Sequence, residues 1–273
     1  LHDQEAPEVA QAQEEQYLPR FAGDRLPATA TGRTLALAER LDTLVGIFAI
    51  GQAPYGAKDP FALRRAALGV LRLLIEGELD LDLQTLLERA ATHFEPAICA
   101  ESVVETVFEF TMDRLRGYYL DQGVRPDALE AVLDCRPTRP LDFDRRVRAV
   151  SAFLEQTEAF SLAATNKRIR NLLKKVETVL PLEVCSELLI EEAEQALARR
   201  LVELSSEAIQ LMENGLYGEA LNQLMHLREP VDAFFDQVLV MANDPVLRDN
   251  RIALLNELSS LFLRVADFSR LRD

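Results

Sequence analysis

Apolar residues along this chain recur three and four positions apart, the period of a helix with one buried face. Leu37, Leu41, Leu44, Val45 and Phe48 fall on one such stripe. Gly51, Pro54 and Gly56 come next and suit a turn. A second helix is expected to open at Asp59-Pro60. The aspartate can accept a hydrogen bond from the free amides of the first turn, and a proline at the first helical position gives up no bond. Leu63, Ala66, Ala67, Val70, Leu71 and Leu74 carry this helix to Gly77, which reads as its C-terminal stop.

The pattern continues in both directions. Residues 7–18 predict a helix that Pro19 ends, and 21–32 a loop. Asp80 or Asp82 can cap a helix built on Leu83, Leu86, Leu87, Ala90, Ala91 and Phe94, which Pro96 breaks. Residues 101–120 predict another, stopped by Gly123, and 127–133 a short one. The stretch 142–176 reads as one long helical region, and Leu180-Pro181 interrupts the helical pattern beyond it. Further helices are expected over 186–213, 219–228, from Pro230 onward, and over 245–267 after the cap Asp244-Pro245. No stretch alternates at period two, and there is no fixed-period repeat or low-complexity tract. The expected class is all-α, with the second half an up-and-down helical bundle. Arg136-Pro137-Thr138-Arg139-Pro140 places two prolines within five residues, so domains are expected at 1–139 and 140–273.

Composition agrees with two packed domains. The 273 residues are 48% hydrophobic, which excludes a disordered chain. No apolar run reaches the length needed to cross a bilayer, and no signal peptide opens the sequence. The start at Leu1-His2-Asp3 reads as part of a longer polypeptide. Cys99, Cys135 and Cys185 are far apart and fit no zinc spacing; reduced thiols in a cytoplasmic protein are the expectation.

Charge changes the picture more than composition does. The net charge of −15 argues against indiscriminate nucleic-acid binding, DNA included. Its distribution is uneven. Residues 1–142 hold 14 basic and 24 acidic side chains (−10), residues 143–273 hold 16 and 21 (−5), yet residues 145–175 hold eight and two (+6). A basic island in an acidic chain points to a polyanionic partner.

Within that island, Ile169, Leu172, Leu173 and Val176 share one helical face. Lys167, Arg168, Lys174 and Lys175 fan over the other, with Arg170 beside them, and Arg145, Arg146 and Arg148 extend the cations upstream. The pattern fits a phosphate backbone; it equally fits a solvated face balanced by the acids at 187–194. A helical bundle has no sheet on which to stack bases, so base readout would fall to loops and helix ends. Lys58, Arg64 and Arg65 form a second cationic group beside the Asp59 cap. His2-Asp3 and Asp42 suggest an HD-type metal site, but an upstream histidine is missing and His93 and His226 have no partner spacing, so no metal is expected; an Arg40–Asp42 ion pair is the simpler expectation. Nothing resembles a nucleophile with its base, a phosphate-cradling loop or an adenylate-forming signature, and no catalytic residue is assigned.

One stretch also carries a resemblance. Arg40-Leu41-Asp42-Thr43-Leu44-Val45-Gly46-Ile47-Phe48, followed by Lys58-Asp59-Pro60-Phe61-Ala62-Leu63-Arg64-Arg65-Ala66-Ala67, is similar to the β subunit of the bacterial α/β-type glycyl-tRNA synthetases. Arg136-Pro137-Thr138-Arg139-Pro140-Leu141-Asp142-Phe143-Asp144, Ala164-Thr165-Asn166-Lys167-Arg168-Ile169 and Leu227-Arg228-Glu229-Pro230-Val231-Asp232 extend the likeness. It implies an HD-like helical domain followed by an anticodon-binding bundle resembling that of arginyl-tRNA synthetase. It further implies tRNA(Gly) and the α subunit as partners. No cofactor is expected on this piece, ATP and Mg belonging to the whole enzyme, in which the α subunit forms glycyl-adenylate. The alternatives are a metal-dependent HD phosphohydrolase and a helical adaptor that binds protein through its acidic faces.

Overall fold

The structure is a computed structural model that describes residues 6–95, 101–176 and 183–271. Among them there is no strand, only one isolated bridge between Tyr55 and Lys58. The first elements are α1 (Pro7–Glu15), α2 (Ala30–Ala49), α3 (Leu63–Ile75), α4 (Leu83–Ala91), α5 (Glu101–Met112) and α6 (Arg114–Leu120). Then come α7 (Pro126–Leu133), α8 (Pro140–Phe153), α9 (Thr157–Leu173) and α10 (Glu192–Glu213). The last are α11 (Tyr217–Leu224), α12 (Arg228–Gln237) and α13 (Pro245–Leu263), with short 3₁₀ turns at Ser186–Leu188, Met225–Leu227 and Phe268–Arg270. Two compact units result, one from 1–123 with 138–144, the other from 124–137 with 145–273. The units therefore interleave in sequence around the double proline. Pro137 lies between α7 and α8 and Pro140 opens α8; neither says which core a helix face joins. Ala128, Leu129, Ala131 and Val132 of α7 are buried in the second unit, where the Asp267 amide donates to the Ala131 carbonyl at 2.8 Å.

In the first unit the stripe anticipated on α2 is buried, with Leu44 and Val45 fully enclosed, and Val70, Leu71 and Leu74 of α3 join them. Each such aliphatic side chain contributes roughly 1.5–3 kcal/mol. Asp82 caps α4 through the Thr85 amide at 2.8 Å, while Asp80 lies 3.4 Å from Arg139. Two buried arginines, which periodicity does not flag, tie the loop before α2 to the core. Arg40 donates to the carbonyls of Gln16 (3.0 Å), Ala36 (2.7 Å), Tyr17 (3.1 Å) and Pro19 (3.2 Å). Arg72 donates to the carbonyls of Asp24 (2.7 Å) and Phe21 (3.2 Å), and pairs with Glu76 at 2.7 Å. Arg40 thus turns inward while Asp42 is exposed, so the expected Arg40–Asp42 pair does not form; a guanidinium with five donors can satisfy itself on carbonyls.

Three local readings need correction. Helix α3 starts at Leu63, not at Pro60, because Ala62 takes a left-handed φ of 56°. Asp59 still serves as its cap, accepting from the amides of Leu63 (2.8 Å) and Arg64 (3.0 Å). After α3 the positive φ falls on Glu78 at 53°, not on Gly77; Gly77 is needed because a Cβ there would lie 2.3 Å from the Leu73 carbonyl oxygen. The run 142–176 is two helices, since Gln156 is extended and ends the helical path between α8 and α9.

The second unit is a helical bundle in which α10 packs against α11, α12 and α13, and α9 against α12 and α13. Its core holds Val147 of α8 together with Phe234, Phe262 and Phe268. Also buried there, Glu194, with no exposed surface, pairs with Arg251. The Asp244 cap with Pro245 at the first turn of α13 is as the sequence indicates, with 2.8 Å to the Val246 amide.

Candidate nucleic-acid interface

The basic island lies on α9 and its C-terminal end. Ile169 and Leu173 anchor the helix in the core, 1% and 8% exposed. Lys167, Arg168, Lys174 and Lys175 are exposed on the outer side and make no ion pair among the described residues. Lys174 and Lys175 sit where the helix dipole favours cations. The Arg168 guanidinium lies 4.1 Å from the centre of the Phe235 ring, which fixes a flexible side chain by cation–π attraction. Lys167, Arg168, Asn171 and Lys175 line a cleft of about 540 Å³, with Leu172, Val176 and the exposed Met241 as its apolar part.

Of the four acids at 187–194, three are engaged elsewhere and Glu192 is exposed on the first turn of α10. Glu187 accepts from the Cys185 thiol, Glu191 caps α10, and Glu194 is the buried partner of Arg251.

The other candidate cations divide. Arg170 is half-buried and pairs with Asp267 at 3.3 Å. Burial alone would raise the Asp267 carboxyl; hydrogen bonds from Ser269 and the charge of Arg170 outweigh it and hold the group below the usual range. Arg146 donates to the Arg264 carbonyl at 2.6 Å and lies over the Tyr217 ring at 5.0 Å, so its role is bracing. Arg145 is exposed and rests against Gly215, whose φ of 73° and lack of a side chain let the guanidinium approach. Arg148 is exposed. In the first unit Arg64 donates to the Gly56 carbonyl at 2.7 Å and braces the turn, while Lys58 and Arg65 are exposed.

His2 and Asp3 lie outside the described residues, as do Cys99, Pro96 and Leu180-Pro181. Asp42, His93 and His226 are each exposed, and among the described residues no three His, Cys, Asp or Glu side chains converge as metal ligands.

Comparison with known proteins decides the family. Residues 1–134 match the family model described as the glycyl-tRNA synthetase β subunit, and residues 162–264 match the DALR anticodon binding domain. Over 271 residues, 99% of this chain, it is 52% identical to the glycine–tRNA ligase β subunit of Glaesserella parasuis. Over the same length it is 53% identical to that of Aeromonas salmonicida and 51% to that of Pasteurella multocida. The chain belongs to the glycyl-tRNA synthetase β-subunit family. It spans 39% of the length of these relatives. The DALR match begins inside α9, so the cationic face, its cleft and the Phe235 stack all fall in the part similar to anticodon-binding domains. No helix among the described residues is long and apolar enough to cross a membrane.

Proposed function

We propose that this chain is the tRNA-binding part of a glycyl-tRNA synthetase β subunit, and that it holds tRNA(Gly) without itself performing catalysis. The observation that carries the reading is the exposed set Lys167, Arg168, Lys174 and Lys175 on the α9 surface, within the stretch similar to anticodon-binding domains. The mechanism is positional. Four cations free of ion pairs, two on α9 and two at its C-terminal end, bind phosphates and fix the register of the RNA. The terminal adenosine is thereby delivered to an active site on the α subunit, and the advantage is that of holding reactants in place. ATP and Mg²⁺ are then used on that other chain, in the cytoplasm. Arg145 and Arg148 extend the phosphate track, and Lys58 and Arg65 supply a second contact; Arg170, Arg146 and Arg64 act through the scaffold they brace.

Filter binding of tRNA(Gly) to the chain with Lys167, Arg168, Lys174 and Lys175 all reversed to Glu tests this. RNA binding should be lost, whereas a helical adaptor that used its acidic faces would keep its partner. Retention of tRNA binding by the reversed chain would refute the assignment of the face.

A further inference from the structure

The turn between α2 and α3 displays an aromatic ring and a cation side by side, and the proposed function makes no use of the ring. Tyr55 is 86% exposed, more than any other large apolar or aromatic side chain described. It does not sit on a loose loop. The Tyr55 amide donates to the Lys58 carbonyl at 3.1 Å and the Lys58 amide donates back to the Tyr55 carbonyl at 3.0 Å. Gly56, at φ 54°, takes the first central position of the two-residue turn, where a left-handed conformation suits glycine. Arg64 fastens the Gly56 carbonyl at 2.7 Å, and the Asp59 carboxylate holds the Leu63 and Arg64 amides at 2.8 and 3.0 Å.

Residues that exchange both hydrogen bonds across a bridge stand directly opposite each other. Their side chains leave the same face, with Cβ atoms about 4.5–5.5 Å apart. The Tyr55 ring and the Lys58 ammonium are therefore presented together. Phe61, 46% exposed, lies three residues further on, and Arg65 is exposed on the first turns of α3. The surroundings favour an anion. On the turn and the first turns of α3, Lys58 and Arg65 are exposed, and the one acid there, Asp59, has its carboxylate taken by two amides.

We infer that the Tyr55–Lys58 turn is a stacking site for an unpaired nucleotide of RNA, the ring taking the base and the ammonium its phosphate. The inference rests on the RNA-binding reading above and adds to it a preference for single-stranded RNA at this turn. A ring on a braced turn is pre-ordered for stacking, and stacking tolerates any base because every base has a π-face. A paired helix offers no such face except at its ends, so an unpaired terminus is the element that fits.

The test uses the full chain and a short unstructured RNA whose terminal nucleotide is a fluorescent adenine analogue. The wild-type chain should quench the analogue on binding. Tyr55→Ala should weaken binding by roughly fivefold to 150-fold and abolish quenching, while Tyr55→Phe should match wild type within about twofold. Blunt duplex RNA, which offers only its two terminal pairs, should distinguish the variants less than the single strand does. Circular dichroism should be unchanged in each, because the ring is outside the core. Binding by Tyr55→Ala equal to wild type, or wild-type binding without quenching, overturns the inference. If the α9 charge reversal abolishes RNA binding while Tyr55→Ala leaves it intact, the turn is refuted and the α9 face stands. If the wild-type chain binds no RNA at all, both fall. Unaltered RNA binding with loss of a protein partner would also overturn the inference, and would assign the ring to that contact.

Discussion

Breaking the buried ion pair of the second unit should have a large and diagnostic cost. Glu194 has no exposed surface and the Arg251 side chain is 6% exposed. One carboxylate oxygen of Glu194 accepts from the Ile190 and Glu191 amides at 2.9 and 3.1 Å, and the other accepts from Arg251. Arg251 also donates to the Leu239 carbonyl at 2.9 Å. Arg251→Met fills similar space but leaves a buried carboxylate with no cation, at a cost of about 3–5 kcal/mol. Glu194→Gln in that background removes the orphaned charge and keeps an acceptor for the two amides. The double variant should cost about 2 kcal/mol less than the sum of the two single changes, a coupling of the size seen within one buried network. Urea unfolding followed by far-UV circular dichroism measures both, since the chain has no Trp to serve as a fluorescent probe. A loss under about 1 kcal/mol for Arg251→Met, or strict additivity of the two changes, would refute the reasoning.

The first unit supplies two further predictions. Glu15 accepts from the Thr29 hydroxyl at 2.5 Å, from the Ala28 and Thr29 amides at 3.1 and 3.2 Å, and from Gln11 at 2.8 Å. Led by the Thr29 hydroxyl, these bonds outweigh the opposing effect of burial and hold its carboxyl at about 2. Between that value and the ordinary carboxylate pKa the unfolded chain binds the extra proton, so this contribution is complete above about pH 4.5 and lost as pH falls toward 2. Glu15→Gln should flatten the acid limb of stability in that window, read by unfolding at a series of pH values; an unchanged limb would contradict the assignment. Arg40→Met removes the donor to four carbonyls and should cost about 2–4 kcal/mol. Limited proteolysis should then cut near Tyr17–Arg20 first, and resistance equal to wild type would show that the guanidinium does not hold that segment.

Helical periodicity and capping chemistry made most of the fold legible. Asp82, Asp244 and Pro245 mark helix starts by the local bonds they make or forgo, and local bonds are what sequence spacing encodes. The failures arose where tertiary context decides. Ala62 and Glu78 adopt positive φ although neither residue type announces it, and the glycine beside one of them is needed for clearance alone. The break at Gln156 carries no proline or glycine. The expected Arg40–Asp42 pair failed, and Arg72 gave no signal, because a sequence does not show that carbonyls from a distant loop will surround a guanidinium. The candidate site was readable in part for the same reason. The α9 cations follow from amphipathic spacing, whereas the bracing of Arg146 on Tyr217 and of Arg170 on Asp267 depends on residues 71 and 97 positions away. Tyr55 left no periodic signal; a Pro-Tyr-Gly turn between two helices, flanked by Lys, was the available clue.

The salt dependence of tRNA(Gly) binding tests the central claim most directly. If Lys167, Arg168, Lys174 and Lys175 each meet a phosphate, replacing all four with Ala should make the slope of log affinity against log salt shallower by about 3–4, and replacing Lys174 alone by about 1. A wild-type slope that survives the quadruple replacement unchanged would mean that the RNA is held by another surface.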